Sequence, residues 1–403
     1  MVIAIKVNFA GGLVMALCLL ALALSLYAEE PQSRPAKPDR PAEYPRIAML
    51  WSPADGPEDR WANMARHDVI VMGIGQIGLR WQPHEFPAMS ETIQPETIPA
   101  AIRNLKRIRN LNPGATVLLE VYFFEENANG YPPDHPWWLR DAQGQKVQFW
   151  PGDFRMDWSN PQYVSHVARR IQAVWGAVGD GAGIFLDNLR FDPVARSAWE
   201  SLLGQVRRRC GDVPILVNAG WAREDASWVA PLINGLMYED ACRHRPETEK
   251  EPEDFYARIA TCDLLLRPPR IGVCERFGSR ADREAMVRHL LRTLAYTDMA
   301  LLYADSTHGH HHDWYDLWDA PLGQAVCGPV PAVPGRLARR EFAGGTVLWL
   351  PTSAEGPVSV KLPAPAWDLL SGREHAGTID LLPGSGALLV GERPEGRARP
   401  GRE

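Results

Sequence analysis

The sequence predicts an α/β protein: a (β/α)8 TIM barrel followed by a small antiparallel β-sandwich domain. Eight short apolar runs alternate with stretches of helical periodicity over roughly 260 residues, which is a usual length for such a barrel. The runs are apolar on both faces, as in parallel strands that helices cover on both sides. After Pro334 the pattern changes to short runs separated by glycine and proline turns, which is typical of antiparallel sheets.

Composition restricts the classes of protein and of partner. The 403 residues are 45% hydrophobic and 23% charged, a balance that excludes a disordered chain. The formal net charge of −6 disfavours a nucleic-acid partner, because such proteins present a basic surface. Tryptophan is unusually frequent, with 15 residues against 11 Phe and 10 Tyr.

The amino terminus resembles an export segment. An apolar run over residues 9–28 follows Lys6, and it predicts a signal peptide or, as an open alternative, an uncleaved membrane anchor. Residues 29–45 form a proline-rich linker. We therefore expect a periplasmic or extracellular protein that meets a membrane only through this possible anchor.

The predicted domains follow from these patterns. They are a signal peptide or anchor (1–28), a linker (29–45), a barrel (46–335), a C-terminal β-domain (336–392) and a flexible tail (393–403). The eight predicted barrel strands are Ile47–Trp51, Val69–Gly73, Val117–Tyr122, Gly183–Asp187, Ile215–Asn218, Gly235–Glu239, Ile271–Glu275 and Met299–Asp305. The helices predicted between them span approximately Glu58–Arg66, Pro99–Asn110, Pro161–Trp175, Val194–Arg208, Ala226–Leu232, Pro252–Leu266 and Ser279–Tyr296.

Five cysteines follow the export segment, and none has the spacing of a metal site. One disulfide from Cys242 to Cys262 or Cys274 is possible in an oxidising compartment. Burial as a small hydrophobic residue is the alternative for Cys274, which lies in an apolar run.

Acidic residues predominate where the predicted strands end, which is the rim that carries the chemistry of such barrels. Side-chain alternation places Asp187 on the same face as Phe185, and Glu239 on the same face as Met237, so both acids are predicted to point inward. At the seventh strand, the same rule would place Gly272 and Cys274 on the inner face, which leaves Glu275 pointing outward. We therefore rank Asp187 with Glu239 as the catalytic pair and Glu275 as the alternative, while a cap or an ion pair remains the structural interpretation of either acid.

Polar and aromatic residues near the same rim are the predicted substrate contacts. Flat indole rings stack well on sugar rings, and nine of the tryptophans fall in strand ends or in the segments that follow them. The stretch from Phe123 to Ser159 is far longer than an ordinary loop, which indicates a functional insertion. The predicted binding residues are Trp51, Tyr122, Trp158, Asn188, Asn218, Trp221, Asp240, Asp305 and His308.

A histidine-rich segment after the eighth strand also permits a metal site. His308 and His310, with Asp305, are the candidate ligands, but adjacent histidines diverge in direction and favour a polar loop instead. No metal and no cofactor are predicted.

Three motifs of the barrel and three of the C-terminal region carry a family resemblance. They are Gly183-Ile184-Phe185-Leu186-Asp187-Asn188, Met156-Asp157-Trp158-Ser159-Asn160-Pro161, Tyr238-Glu239-Asp240, Arg340-Glu341-Phe342-Ala343-Gly344-Gly345, Asp368-Leu369-Leu370-Ser371-Gly372 and Ser385-Gly386-Ala387-Leu388-Leu389. On these residues the chain resembles bacterial putative glycoside hydrolases that join a TIM barrel to a small C-terminal β-domain. More distantly, it resembles α-1,4-polygalactosaminidase barrels, with an Asp ending strand four and a Glu ending strand six.

The sequence therefore predicts an exported glycoside hydrolase that acts on a polysaccharide or oligosaccharide, with Asp187 as nucleophile or base and Glu239 as general acid. A spacing of about 5 Å between the two acids would suit a retaining mechanism, and one of about 6.5–9.5 Å an inverting mechanism. Two alternatives stay open. They are a barrel that binds carbohydrate without catalysis and a metal-dependent hydrolase that uses the histidine-rich loop.

Overall fold

The computed structural model of the protein describes residues 43–56, 59–220, 225–239, 252–305 and 309–392. The predicted export segment, most of the linker, the tail and Cys242 lie outside these residues. Within them, no helix is both long and apolar enough to span a bilayer.

Eight parallel strands form the barrel, and each pairs with the next in chain order. They are β1 (Ala48–Leu50), β2 (Val69–Gly73), β3 (Thr116–Glu120), β4 (Gly183–Leu186), β5 (Ile215–Asn218), β6 (Gly235–Tyr238), β7 (Val273–Phe277) and β8 (Ala300–Ala304). A parallel bridge from Ile47 to Leu301 joins the first edge to the last, and the Leu301 N–H donates to the Arg46 carbonyl at 2.9 Å. The predicted barrel is therefore confirmed.

Alternation along the strands separates two apolar cores. Every second residue points into the barrel, where Leu118, Phe185, Leu216 and Met237 belong to one buried cluster. The remaining strand residues pack against the helices in a larger cluster. At Gly235 a Cβ atom would lie 1.6 Å from the Ile271 carbonyl oxygen, so only glycine lets β6 approach its neighbour there.

The helices lie between the strands where the periodicity places them. They are α1 (Arg60–Ala65), α2 (Ile98–Leu111), α3 (Pro161–Val178), α4 (Pro193–Cys210), α5 (Pro252–Leu265) and α6 (Arg283–Tyr296). The Asn160 side chain caps α3 and Asp192 caps α4, each before a proline in the first turn. The helix predicted over Ala226–Leu232 is wrong, because the structure has only a 3-10 turn at Ala230–Leu232.

The long stretch between β3 and α3 forms a small antiparallel sheet that we call the β3–α3 insertion (residues 122–160). Strand Asp153–Arg155 pairs with Glu125–Asn127 on one side and with Gln148–Trp150 on the other. Glu125 of this sheet lies 3.4 Å from Asn188 Nδ2, just past the end of β4, so the insertion forms part of one wall of the rim.

Seven strands make up the C-terminal domain. They are β9 (Ala338–Phe342), β10 (Gly345–Trp349), β11 (Val358–Lys361), β12 (Ala366–Asp368), β13 (Arg373–His375), β14 (Thr378–Leu381) and β15 (Gly386–Val390). A five-stranded sheet has the order β9-β10-β15-β12-β13, and β11 pairs with β14. Residues of both sheets share one apolar core, which confirms the predicted sandwich.

Buried polar contacts fasten this domain to the barrel. The fully buried Arg340 donates to the carbonyls of Leu294 and Thr297 and to the Asp298 carboxylate. The Trp349 indole donates to Glu253 at 3.0 Å. Of the described cysteines, Cys210 and Cys262 are buried and Cys327 is exposed, while Cys274 is buried in the barrel as the sequence suggests.

Candidate active site

Four strand ends place polar side chains in the mouth of the barrel. Glu120 and Asn218 end β3 and β5, while Asp187 and Glu239 directly follow β4 and β6. Each lies two residues beyond a side chain of the inner core, so alternation directs all four toward the barrel axis.

The Asn218 amide joins the two predicted catalytic acids. Its Nδ2 donates to Asp187 Oδ1 at 2.7 Å and to Glu239 Oε2 at 3.0 Å. The Gly220 N–H donates to Asn218 Oδ1 at 2.7 Å, which orients the amide so that its nitrogen faces the carboxylates. Two oxygens that share one donor at these distances are less than about 6 Å apart, which fits the ~5–5.5 Å spacing of retaining glycosidases.

A second amide joins Asp187 to an acid that the sequence analysis missed. Asn188 Nδ2 donates to Asp187 Oδ2 at 2.7 Å and lies 3.4 Å from Glu125 Oε2. Glu125 lies in the first strand of the β3–α3 insertion rather than at a barrel strand end. Its only sequence signal was its position in an unusually long insertion next to the rim.

Glu120 lies deeper on the same side of the site. Trp51 Nε1 donates to Glu120 Oε2 at 2.9 Å. The Trp51 carbonyl accepts from Gln76 Nε2 at 2.7 Å, and the Gln76 side-chain oxygen accepts from the Gly73 N–H. Trp51 thus lies at the predicted rim and holds a carboxyl group there.

The predicted outward orientation of Glu275 is wrong. Ile271 and Val273 face the inner core, so alternation directs Glu275 inward as well. Glu275 is fully buried, and its Oε1 is 2.6 Å from His310 Nδ1. It therefore joins the same cluster as Glu239.

Glu239, Glu275 and His310 are the described residues that could together hold a metal ion, because their ligand atoms lie within 4.8 Å of one another. The sequence instead predicted Asp305, His308 and His310 as the candidate ligands. Asp305 N–H donates to the His311 carbonyl, while His308 lies outside the described residues, as do Asp240 and Trp221.

The carboxyl groups ionise differently because they are buried together. Burial and the charge of Asp187 raise the pKa of Glu120 to about 8. The same two causes, in that order, raise the pKa of Glu125 to about 8. Burial raises the pKa of Asp187 to about 6, against the opposing hydrogen bond from Asn218. At neutral pH, Asp187 is therefore mostly ionised beside two protonated neighbours.

His310 is the basic residue of this cluster, and the neighbouring acids favour its charged form. Burial lowers its pKa, but Glu275, Glu239 and Asp187 outweigh this effect and raise the pKa above its ordinary value. The His310 ring also packs edge-on against Trp51, with centroids 4.9 Å apart.

Strained backbone is concentrated at this rim. In the described chain, the non-glycine residues with a left-handed backbone are Trp51, Asn188 and His310, with φ of 53°, 61° and 65°. Such conformations are costly outside glycine and persist where the surrounding structure imposes them, often at functional sites. Each of the three directly contacts a carboxyl group or an aromatic ring of the cluster.

The aromatic residues divide into exposed and structural ones. Tyr122 and Trp150 expose 47% and 57% of their surfaces. Trp158 is only 7% exposed and stacks on Phe124 with centroids 4.9 Å apart, so it supports the wall rather than offering a free face to a sugar. Trp137, Trp138 and Trp318 are also buried. Much of the tryptophan surplus is therefore core.

Comparisons with known proteins support the architecture. No protein-family model and no curated protein matches the sequence, so the resemblance to polygalactosaminidases stays a prediction. Among solved structures, Amy13B of Eubacterium rectale aligns with a TM-score of 0.52 at 10% identity, covering 89% of this chain and 98% of its own. A maltogenic α-amylase from Thermotoga neapolitana aligns with a TM-score of 0.50 at 10% identity, covering 85% and 98%. At this identity the likeness shows a shared fold, a TIM barrel with a C-terminal β-domain.

Proposed function

We propose that the protein is an exported glycoside hydrolase that cleaves a polysaccharide or oligosaccharide with retention of anomeric configuration. The observation that carries this proposal is the Asn218 amide, which holds Asp187 and Glu239 at 2.7 and 3.0 Å from one nitrogen. Inverting enzymes place a water molecule between one carboxylate and the sugar, and two carboxyl groups at this spacing leave no room for it.

In the first step, Glu239 gives its proton to the glycosidic oxygen while the ionised Asp187 attacks the anomeric carbon. The bond to the leaving sugar breaks, and that sugar departs with the proton as a new hydroxyl group. In the second step, Glu239 removes a proton from water. The resulting oxygen attacks the same carbon, which releases Asp187 and the free sugar.

Asn218 and Asn188 contribute by holding the nucleophile. Each donates a hydrogen bond of 2.7 Å to a different oxygen of Asp187, so the carboxylate is held in one orientation before substrate arrives. The Asn218 bond and a backbone hydrogen bond from Asn188 favour the ionised form, which limits the rise caused by burial and holds the pKa of Asp187 at about 6.

Sugar release from a panel of polysaccharides tests this proposal. We include α-glucans because the structural neighbours include a maltogenic α-amylase. We expect Asp187→Asn and Glu239→Gln each to lose about 10²–10⁴ in rate, with Glu374→Gln, an exposed acid of the C-terminal domain, as the control. Activity that survives in both site variants would contradict the assignment.

Glu125 is the competing proton donor, since it is protonated at neutral pH and lies beside Asp187. Azide separates the two acids, because this anion attacks the glycosyl intermediate without a general base. With an aryl glycoside whose leaving group needs no proton, we expect azide to restore turnover to Glu239→Gln and to give a glycosyl azide. Rescue of Glu125→Gln alone would transfer the acid–base role to Glu125.

A metal-dependent hydrolase is the second candidate, and the clustering of Glu239, Glu275 and His310 within 4.8 Å favours it. Two carboxylates and one imidazole suit zinc or manganese. This candidate predicts stoichiometric metal in the purified protein and loss of activity with a chelator. Activity that is unchanged after metal removal would exclude it.

A further inference from the structure

Two arginine side chains converge on one aromatic ring beside Asp187. Arg155 ends the last strand of the β3–α3 insertion, and Arg190 lies three residues after Asp187. The central guanidinium carbons of Arg155 and Arg190 are 5.2 and 4.4 Å from the centroid of Phe124. Both arginines are half-buried, and Phe124 is buried beneath them.

Neither arginine is neutralised by a salt bridge within the described residues, although acids lie near. Arg155 stands directly opposite Glu125 in the antiparallel pair, where side chains share a face. Glu125 is neutral at pH 7, because burial and Asp187 raise its pKa to about 8, so it does not cancel the charge of Arg155. Arg155 Nε is buried without a hydrogen-bond partner among the described residues.

The two cations also oppose one another. The pKa of Arg190 is lowered, first by burial and then by the charge of Arg155. Like charges held in a half-buried position are unfavourable unless a counter-charge completes the site. Within the described residues, Asp187 and Asp192 attract Arg190 only from beyond salt-bridge distance.

Aromatic surface continues from this pair toward solvent. Phe149 lies 4.7 Å from Phe124, and the exposed Trp150 lies 4.9 Å from Phe149, both measured between centroids. An indole with more than half of its surface exposed offers a face for a sugar ring. A sugar stacked there would place its substituents near the guanidinium groups.

We propose that Arg155 and Arg190 bind an anionic substituent of the glycan, either the carboxylate of a hexuronic acid or a sulfate ester, in the subsite next to Asp187. Guanidinium groups match the planar geometry of carboxylates and also bind other oxyanions through paired N–H donors. The ionised Asp187 would repel an anion at the point of cleavage. The charged sugar therefore occupies the neighbouring subsite, and the sugar whose glycosidic bond breaks is neutral.

The subsite rests on the proposed function for its place along the glycan, so its test measures binding rather than turnover. The probe protein is the full chain carrying Glu239→Gln, which stops turnover and keeps the charge of Asp187. The ligands are polygalacturonate, alginate, hyaluronan and chondroitin sulfate, and each is compared by calorimetry with a neutral form made by carboxyl reduction and, where needed, desulfation. Comparing the desulfated and carboxyl-reduced chondroitins separates sulfate from carboxylate recognition.

We expect at least one anionic polymer to bind ten-fold or more tightly than its neutral form. Added to the probe protein, Arg155→Gln should lower that affinity about ten-fold, and Arg155→Gln with Arg190→Gln should remove the preference. The matched control is Arg196→Gln, because Arg196 also lies over an aromatic ring, Trp228, but is paired with Glu200 at 3.0 Å.

Equal binding of anionic and neutral forms, binding of neither form, or unchanged affinity in the double arginine variant would overturn the subsite. Failure of the proposed function is a separate result. In that case the wild type would bind the anionic polymer through both arginines and still release no sugar from any member of the panel.

Discussion

Replacing Glu120 with glutamine tests the electrostatics of the site without requiring a substrate. Burial and the charge of Asp187 raise the pKa of Glu120 from 4.5 to about 8. Because the folded pKa is higher, the folded state binds the proton more tightly than the unfolded state does. The stabilisation is complete below about pH 4.5 and is lost as the pH rises through about 8.

The size of the effect follows from that shift. At about 1.4 kcal/mol per unit, moving from 4.5 to about 8 corresponds to roughly 5 kcal/mol as an upper limit. Water entry and side-chain rearrangement reduce such values in proteins. At pH 9 we therefore expect the free energy of unfolding of Glu120→Gln to exceed that of the wild type by at least about 2 kcal/mol. At pH 4.5 the variant and wild type should differ little, because glutamine resembles the protonated acid and can still accept from Trp51.

Denaturant unfolding at pH 4.5, 7 and 9 measures this difference, with Glu374→Gln as the control because this glutamate is exposed. The expected result is a stability gain that grows with pH in Glu120→Gln alone. A gain that is the same at all three pH values, or no gain at pH 9, would refute the raised pKa of the buried Glu120 carboxyl group.

Further predictions concern the nucleophile and the domain junction. The kcat/KM of the wild type should fall below about pH 6 as Asp187 takes up a proton, and a pH–rate profile without an acidic limb in that region would contradict its role. Asn218→Ala should move this limb upward by about one unit, because a hydrogen bond to a charged group contributes about 1.5 kcal/mol to the ionised form; an unmoved limb would show that the amide does not set the pKa. Arg340→Met should lower the free energy of unfolding by about 3 kcal/mol, because the Leu294 and Thr297 carbonyls lose their buried donor, and urea unfolding with an unchanged midpoint would argue against it.

The barrel could be predicted from the sequence because parallel strands carry a strong local signal. Strands β2 and β5 match the predicted ranges, and α2 lies within a residue of its prediction at each end. Short runs that are apolar on both faces leave few alternatives to a sheet covered by helices. The missing helix before β6 shows the limit of periodicity, since residues 230–232 make only a single 3-10 turn.

The orientation of Glu275 could not be predicted so directly. The local composition of this strand fits either orientation, and which residues face inward depends on the register with β6 and β8. The predicted inner residue Cys274 packs against the helices instead, and Glu275 enters the site with His310. Register is fixed by neighbouring strands, which a single strand's sequence does not reveal.

By itself, the sequence determined the order of strands and helices and the placement of Asp187 and Glu239 at strand ends, because alternation and apolar runs act over a few residues. Only the tertiary structure decided that Asn218 joins these two acids and that Glu125, 62 residues before Asp187, reaches the same carboxylate through Asn188. Such contacts depend on how a closed barrel and the β3–α3 insertion bring distant segments together. The ionisation of each acid depends on that same proximity.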